Sequence, residues 1–492
     1  MKQVLTKYQT LPIGKDGANT RALATFRELL EVFPRDRAFY FRRGEIADRE
    51  FRPTQTILAI DPFETIRIRD RKAVIETAEG EREEEVTDAF SYLSRRMEDL
   101  RQEKIPELPS FQGGALGYFS YDSVRDLEPI LRRTDGNLAR SDGKYDAEIM
   151  FFRKVVIFDH EKDRVIFIAG TQPEIDELVR IHQAARARKP AQVSGMEHPE
   201  LSVSDMESMH GKESFLKKVR AIKEYIRDGD IFQAVLSEKF SAPYEGDPLD
   251  LFEILCDLSP SPYQFCFLSG KRAFVGSSPE MLLQVNEREL ETHPIAGTRP
   301  RGATEAEEER LCAQLLRSPK EKAEHLMLVD LSRNDLGRVS DPGTIRIGSY
   351  MKIRKFSGVM HLVSVVKGTL NRKYSPIMAL ASCFPAGTLS GAPKIRAMQR
   401  LSELEPLRRG FYGGAVIAAS FTGDLDSCIS IRGIEIEGGV ATIQAGAGIV
   451  ADSSPEREYA EIQHKTSGTR RALALALAWV RSGARAPIKG VG

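Results

Sequence analysis

The stretch RAFYFRRGEIADREFRPTQTILAIDPFETIRIRDRKAVIET, residues 37–77, reads as four strands in quick succession. Arg37 to Ile46, Gln55 to Ile60, Thr65 to Arg69 and Ala73 to Thr77 are rich in β-branched and aromatic residues, and Gly, Pro and Asp separate them. A charged amphipathic segment near Glu84 to Gln102 follows and predicts a helix. Strand-like runs together with this helix make the first part of the chain read as α+β.

Further along, the glycine-rich run Phe111 to Asp122 is too apolar for a surface linker and implies close backbone packing beside strands. Strands over Ile149 to Asp159 and Arg164 to Ala169 and a helix over Gln172 to Ala187 are expected next. Residues 188–211 are polar and contain Pro, Gly and Ser, which reads as a boundary. The expected organisation is an N-terminal unit 1–190, a linker 191–211, a second and larger unit 212–480 and a tail 481–492. Lys212 to Asp228 carries one apolar stripe of Phe215, Val219, Ile222 and Ile226, as a helix would. Strands over Ile231 to Phe240, Gln264 to Leu268, Phe274 to Gly276, Leu282 to Val285 and Leu290 to Pro294 then lead to a glycine turn and a helix from Thr304 to Arg317.

The 492 residues would fill about three average domains. Lys plus Arg equals Asp plus Glu at 71 each, so no global field recruits nucleic acid or an anionic membrane. No apolar run reaches membrane-spanning length and the N-terminus lacks a signal-peptide core, so a cytosolic location is expected. Cys256, Cys266, Cys312, Cys383 and Cys428 are scattered and odd in number, which argues against a disulfide framework and a zinc site alike.

Two carboxylate pairs, Glu321 with Glu324 and Glu458 with Glu461, each lie in a helix-like stretch. The i, i+3 spacing puts both members of a pair on one face, so two such helices side by side would aim four carboxylates at one point. Hard oxygen ligands favour Mg²⁺, with waters and an anionic substrate completing its shell. A solvated acidic helix face is the bland alternative, but the apolar neighbours His325, Met327, Leu328 and Val329 point to partial burial. Gly387 to Lys394 falls one residue short of a P-loop and has Ile395 where the metal-binding hydroxyl should stand. Gly446-Ala-Gly448 has dinucleotide spacing, but Asp452 to Pro455 interrupts where the helix should start; its amides remain available to a carboxylate as a glycine-turn nest. His361 sits in an apolar strand-like run, and Arg432, in the run Cys428 to Ile436, needs an anionic partner.

Pro294-Ile-Ala-Gly-Thr-Arg-Pro-Arg301, the run Ala323 to Asp335, Cys383-Phe-Pro-Ala-Gly-Thr-Leu-Ser-Gly-Ala-Pro-Lys394 and Pro455-Glu-Arg-Glu-Tyr-Ala-Glu461 resemble, in order, the signatures of chorismate-utilising enzymes, most of all the anthranilate synthase large component, component I. The resemblance covers about residues 210–475, and the glycine run 111–122 resembles the family's N-terminal domain. It implies two large β-sheets packed face to face with helices outside. It also implies Mg²⁺ on Glu321, Glu324, Glu458 and Glu461, holding the ring carboxylate of chorismate. Tyr412, Arg432, the backbone of Gly446, Ala447 and Gly448, and Lys465 would hold substrate carboxylates, with Gly297 and Thr298 in the same pocket. Glu280 matches the acid that protonates the departing C4 hydroxyl, His361 a histidine near the reacting ring, and Thr388 a neighbouring hydroxyl.

The resemblance also bears on the nucleophile. Gln233 stands where isochorismate and salicylate synthases carry a lysine that activates water, and Ala296 where aminodeoxychorismate synthases carry a lysine that attacks the ring. Neither side chain can do that work, so ammonia adding directly at C2, followed by pyruvate loss, is the implied route to anthranilate, the first committed step of tryptophan biosynthesis. The alternatives are release of 2-amino-2-deoxyisochorismate, an aminodeoxychorismate synthase, or a non-catalytic chorismate-binding regulatory subunit. No glutaminase segment is recognisable, so a separate glutamine amidotransferase, component II, is the implied partner. The chain departs from the pattern at His464, at Thr466-Ser-Gly468, at the N-terminal Leu-Leu-Glu-Ser motif of tryptophan feedback, which is missing, and at Ser259-Pro-Ser-Pro-Tyr-Gln264.

Overall fold

The computed structural model describes residues 7–13, 18–47, 50–133, 144–187, 206–356 and 358–482. The four strands expected over 37–77 form as Arg37–Ala47, Glu50–Ile60, Glu64–Arg69 and Lys72–Thr77. Side chains of Arg37–Ala47 alternate between two dry interiors: Phe39 and Phe41 face one, Ala38 and Tyr40 the other. A strand buried on both faces has no reason to show a polar alternation, which explains its aromatic density.

Among the described residues the strands build two twelve-stranded sheets, antiparallel at every pairing. In the first sheet Arg37–Ala47 pairs with Tyr263–Ser269, and Val440–Ile449 and Gln233–Pro243 lie together nearer one edge. In the second, Gly114–Phe119 is flanked by Ala147–Phe152 and Ala415–Ser420, and Ile295–Pro300 with Val359–Thr369 lies at an edge. The sheets face each other. Tyr118 of the second meets Phe274 and Phe267 of the first, at ring separations of 4.7 and 6.0 Å. The outer face of the first sheet is covered by Ala18–Val32, Gln172–Ala187, Lys212–Arg227, Pro248–Leu258 and Pro455–Ser482, and that of the second by Ala89–Asp99, Pro319–Gly337 and Pro376–Cys383. The α+β class and the face-to-face sheets are as expected. Both sheets take strands from either side of the stretch 188–211, of which 188–205 lie outside the described residues, as do 483–492 of the expected tail.

Four expectations are corrected. The helix near Glu84 to Gln102 starts only at Ala89, where Asp88 caps it by accepting from Ser91 N at 2.7 Å. Glu84 and Glu85 end an edge strand, Gly80–Glu85, whose charges face water on both sides and hide the two-residue period. The run Ile149 to Asp159 is two strands, Ala147–Phe152 in the second sheet and Lys154–Asp159 in the first. The chain changes sheets at Arg153, whose guanidinium lies 3.9 Å from the Phe63 ring. The run Cys428 to Ile436 likewise divides into Leu425–Ile429 and Gly433–Glu437, with Arg432 between the sheets at φ 54°. Finally, the turn expected after Pro294 is the strand Ile295–Pro300, bulged between Ala296 and Thr298.

The glycine run 111–122 contains a strand of its own, Gly114–Phe119, wedged between two neighbours. A Cβ on Gly117 would stand 2.1 Å from Glu148 O, closer than any real contact. No helix among the described residues is long and apolar enough to cross a membrane.

Candidate active site

A cavity of about 560 Å³ opens where the helices Pro319–Gly337 and Pro455–Ser482 approach the edge strands of both sheets. Its lining includes Glu321 and Glu324 from the first helix and Glu458, Glu461 and Lys465 from the second. Glu280, Gly297, Thr298, His361, Thr388, Tyr412, Arg432, Gly446 and Gly448 line it too, with Gln233 and Ala296 beside them. Residues as far apart in sequence as Gln233 and Thr469 therefore meet in one concave space.

Ser318 caps the first helix by accepting from Glu321 N, and Pro319 stands in its first turn, so Glu321 and Glu324 fall one turn apart on the cavity side. Burial, then the Glu321 charge and the more distant Glu461 charge, raise the Glu324 carboxyl above its ordinary range. Burial and Glu461 raise Glu458 as well, against a hydrogen bond from Ser453. The carboxylates of both helices thus feel one another, and a divalent cation would relieve that crowding. As they stand, Arg299 holds Glu321 at 3.1 Å and Lys465 holds Glu461 at 2.6 Å, and among the described residues no three acidic, His or Cys groups are gathered into a metal-holding cluster. The donor set suits Mg²⁺ in type and charge.

Glu280 follows the strand Arg272–Ser278 and reaches the cavity from beneath. Burial pushes its carboxyl up to about 7, opposed by the Thr388 hydroxyl and the Lys465 charge. Thr388 sits on the one-turn helix Gly387–Leu389 and donates to Glu280 Oε1 at 2.9 Å. A carboxylic acid still protonated near neutrality is a proton donor in waiting. His361, on Val359–Thr369, contacts Gly297 O at 3.0 Å and Thr298 Oγ1 at 3.1 Å through Nδ1. A carbonyl can only accept, so Nδ1 carries the proton and Nε2 keeps its lone pair. Burial lowers the imidazole to about 4, against the Gly297 bond and aided by Arg432 and Lys465, which keeps it neutral.

The glycines at 446–448 form no turn or nest; they lie in the strand Val440–Ile449. Their partners are Ser237 for Gly446, Leu236 for Ala447 and Val235 for Gly448. Val235 N bonds Ser390 O and Ser237 N bonds Glu405, so both point away from this strand. Gly446 and Gly448 therefore turn their amides outward too, and Gly446 O accepts from Lys465 Nζ at 2.9 Å. Ala447 is the correction: it is wholly buried, faces Leu236, and is absent from the cavity lining. Arg432 donates to Lys465 O, and burial lowers its pKa, so the guanidinium is short of an anion. Arg432, Lys465 and the two outward glycine edges thus bring cationic and backbone amide donors to one part of the cavity.

Gly297 occupies the bulge at φ 67°, where a Cβ would lie 3.0 Å from both Glu321 Oε2 and Leu315 Cδ1. Gly297→Ala is expected to cost about 1–2 kcal/mol of stability from its backbone conformation. It should also displace Glu321, so turnover should fall further than the folded fraction does. Paired denaturant melts and turnover assays check this, and parental activity in a folded variant would show that the Glu321 position is not critical.

Sequence reasoning passed over Arg299, the partner of Glu321, although it stands within the Pro294 to Arg301 stretch; a cation so near two carboxylates was the available signal. It also passed over Glu405 and Arg409, which give no local signal.

A profile of the chorismate binding enzyme family matches residues 47–471. The chain is 39% identical to anthranilate synthase component 1 of Geobacillus stearothermophilus over 490 residues, covering 94% of this chain and 93% of that one. It is 43% identical to anthranilate synthase component 1 of Bacillus subtilis over 392 residues, covering 76% and 75%. The crystal structure of anthranilate synthase component I from Streptococcus pneumoniae superposes with a TM-score of 0.75 at 33% identity, covering 85% of this chain and 92% of that one.

Proposed function

The chain belongs to the chorismate binding enzymes, and we propose that it acts as an anthranilate synthase component I, converting chorismate and ammonia to anthranilate and pyruvate. The observation that carries this reading is Glu280, an acid held protonated near neutrality by burial and steadied by Thr388, in a cavity shared with four glutamates.

Arg432, Lys465, Tyr412 and the outward edges of Gly446 and Gly448 bind and orient the substrate's carboxylates. Glu321, Glu324, Glu458 and Glu461 are the residues that would hold Mg²⁺, which when bound supplies positive charge for the ring carboxylate. Glu280 gives its proton to the C4 hydroxyl, which leaves as water while ammonia adds at C2 and the ring double bonds shift. The added nitrogen then sheds a proton, so Glu280 can be restored with no net change. Loss of pyruvate requires removal of the C2 proton, and the His361 Nε2 lone pair, kept free by the Gly297 bond, is the acceptor at hand. Gln233 and Ala296 line the cavity without a basic nitrogen, which favours ammonia over water or a covalent lysine.

The ammonia is taken to come from a glutamine amidotransferase partner, and the reaction to run in the cytoplasm. All five cysteines are free, four of them buried, as a reducing compartment would keep them. The expected result with the purified chain, chorismate, Mg²⁺ and ammonium is fluorescent anthranilate and an equal amount of pyruvate. Glutamine alone should support none. The rate at fixed total ammonium should climb as pH rises and frees ammonia, until Glu280 loses its proton. Glutamine-supported turnover by this chain alone would refute the separate-partner reading, and an aminated product without pyruvate would favour 2-amino-2-deoxyisochorismate release.

A further inference from the structure

We infer that the buried Glu405–Arg409 pair, which touches no substrate, is the positioning device that holds the Thr388 turn and the glycine strand in register with Glu280. The inference rests on the reading of Glu280 as the acid of this reaction.

Arg409 is 2% exposed and Glu405 6%, and neither lines the cavity. The guanidinium gives Glu405 two bonds, from Nε and Nη2, both at 2.8 Å. Two further donors go to backbone: Nη1 to Leu389 O at 2.6 Å and Nη2 to Val235 O at 2.5 Å. Leu389 is the residue after Thr388, whose hydroxyl bonds Glu280. Val235 and Ser237 back Gly448 and Gly446, and Glu405 Oε1 accepts from Ser237 N and Oγ at 3.0 and 2.8 Å. One planar cation therefore ties the acid's holder to the strand Gln233–Pro243, which in turn backs the glycine strand Val440–Ile449. The Tyr121 ring lies 4.3 Å from the guanidinium, and Asp122 accepts from Gly410 N at 2.8 Å, so the glycine-rich run of the N-terminal half fixes the pair from behind. A fully buried ion pair is weak evidence of stabilisation in itself, because desolvation offsets the Coulomb gain. Its fork geometry, matched to two carbonyls on separate elements, is what a hydrophobic replacement would lack.

Arg409→Lys keeps the charge and loses the fork, since one ammonium cannot reach Glu405, Leu389 O and Val235 O together. A misplaced acid costs about ten- to a hundredfold in kcat, with KM for chorismate little changed. The pH profile carries the diagnosis. Thr388 lowers the Glu280 pKa, so loosening its turn should move the basic limb of kcat, at constant free ammonia, to higher pH. The substitution removes none of the other ionisable groups that face Glu280: Lys465, Arg432, His361, Glu321, Glu324, Glu458 and Glu461 across the main cavity, and His293, Asp335 and Cys383 across the smaller one behind it. Thr388→Val should give the same displacement, and adding Arg409→Lys to it should give no more. A folded Arg409→Lys with parental kcat, or with an unmoved limb, or with a displacement that adds to that of Thr388→Val, overturns the inference. If Arg409→Lys does not fold, Glu405→Gln, which preserves shape and the Ser237 contacts, is read by the same criteria. Absence of chorismate turnover by the parent protein would overturn the functional reading and this inference with it, whereas an active parent with a normal variant overturns this one alone.

Discussion

Glu280→Gln is expected to lower kcat for anthranilate formation by about 10²- to 10⁴-fold while leaving chorismate affinity within a few-fold, because the amide keeps the shape and loses the proton. The C4 hydroxyl is a poor leaving group unless it departs as water, and no other acid of the cavity has both the burial and the pKa of Glu280. The sign of the pH dependence follows from the upward shift. The group is competent below about 7 and loses its proton above, so kcat at constant free ammonia should fall as pH rises past that value, and substrate anions would move the limb upward. The limb should be missing from the residual activity of Glu280→Gln. A parental profile that stays flat across this range, or a Gln variant near the parental rate, would remove Glu280 from the acid role.

Glu324→Gln and Glu461→Gln should be nearly as damaging. Each leaves an oxygen in place and deletes a charge, which at a metal site forfeits several kcal/mol of transition-state stabilisation, or roughly a thousandfold in rate. Two consequences separate a ligand from a mere surface charge. Chorismate binding by calorimetry should depend on Mg²⁺ in the parent protein, and that dependence should weaken in both variants. In the parent, exhaustive chelation should abolish turnover and added Mg²⁺ restore it. If either variant kept parental turnover after chelation, the four glutamates would be reduced to an acidic rim whose cations are Arg299 and Lys465.

Much of this site could be read without coordinates, for a physical reason. The i, i+3 carboxylate pairs are local features of single helices, and the helices formed as expected at Pro319–Gly337 and Pro455–Ser482. What joins them is long-range and left no local trace. The Glu405–Arg409 pair carries no motif of its own, and only the carbonyls of Leu389 and Val235 give it meaning. The strand errors have a common cause as well. A single charged residue inside an apolar run is a weak mark of a change of sheet, so the crossings at Arg153 and Arg432 read as continuous strands. Conversely, the edge strand Gly80–Glu85 buries neither face, and its last residues, Glu84 and Glu85, read as the start of a helix. The glycines at 446–448 read as a turn-like nest but lie in a strand, whose edge exposes alternate amides where a nest exposes consecutive ones.

The interleaving of the two sheets bears on how the protein comes to exist in a cell. Phe39 finds its cross-strand neighbour at Phe267, and Ala115 at Ala419. A ribosome releasing the first two hundred residues would present unpaired strand edges that nothing yet synthesised can cap, and one edge of Gly114–Phe119 would wait for Ala415–Ser420, about three hundred residues along the chain from it. Such wide sequence separations make for slow folding and a long window of exposure to aggregation. Chaperone dependence, the yield of the recombinant chain and its tolerance of circular permutation are therefore governed less by its final stability than by the order in which its strands are born.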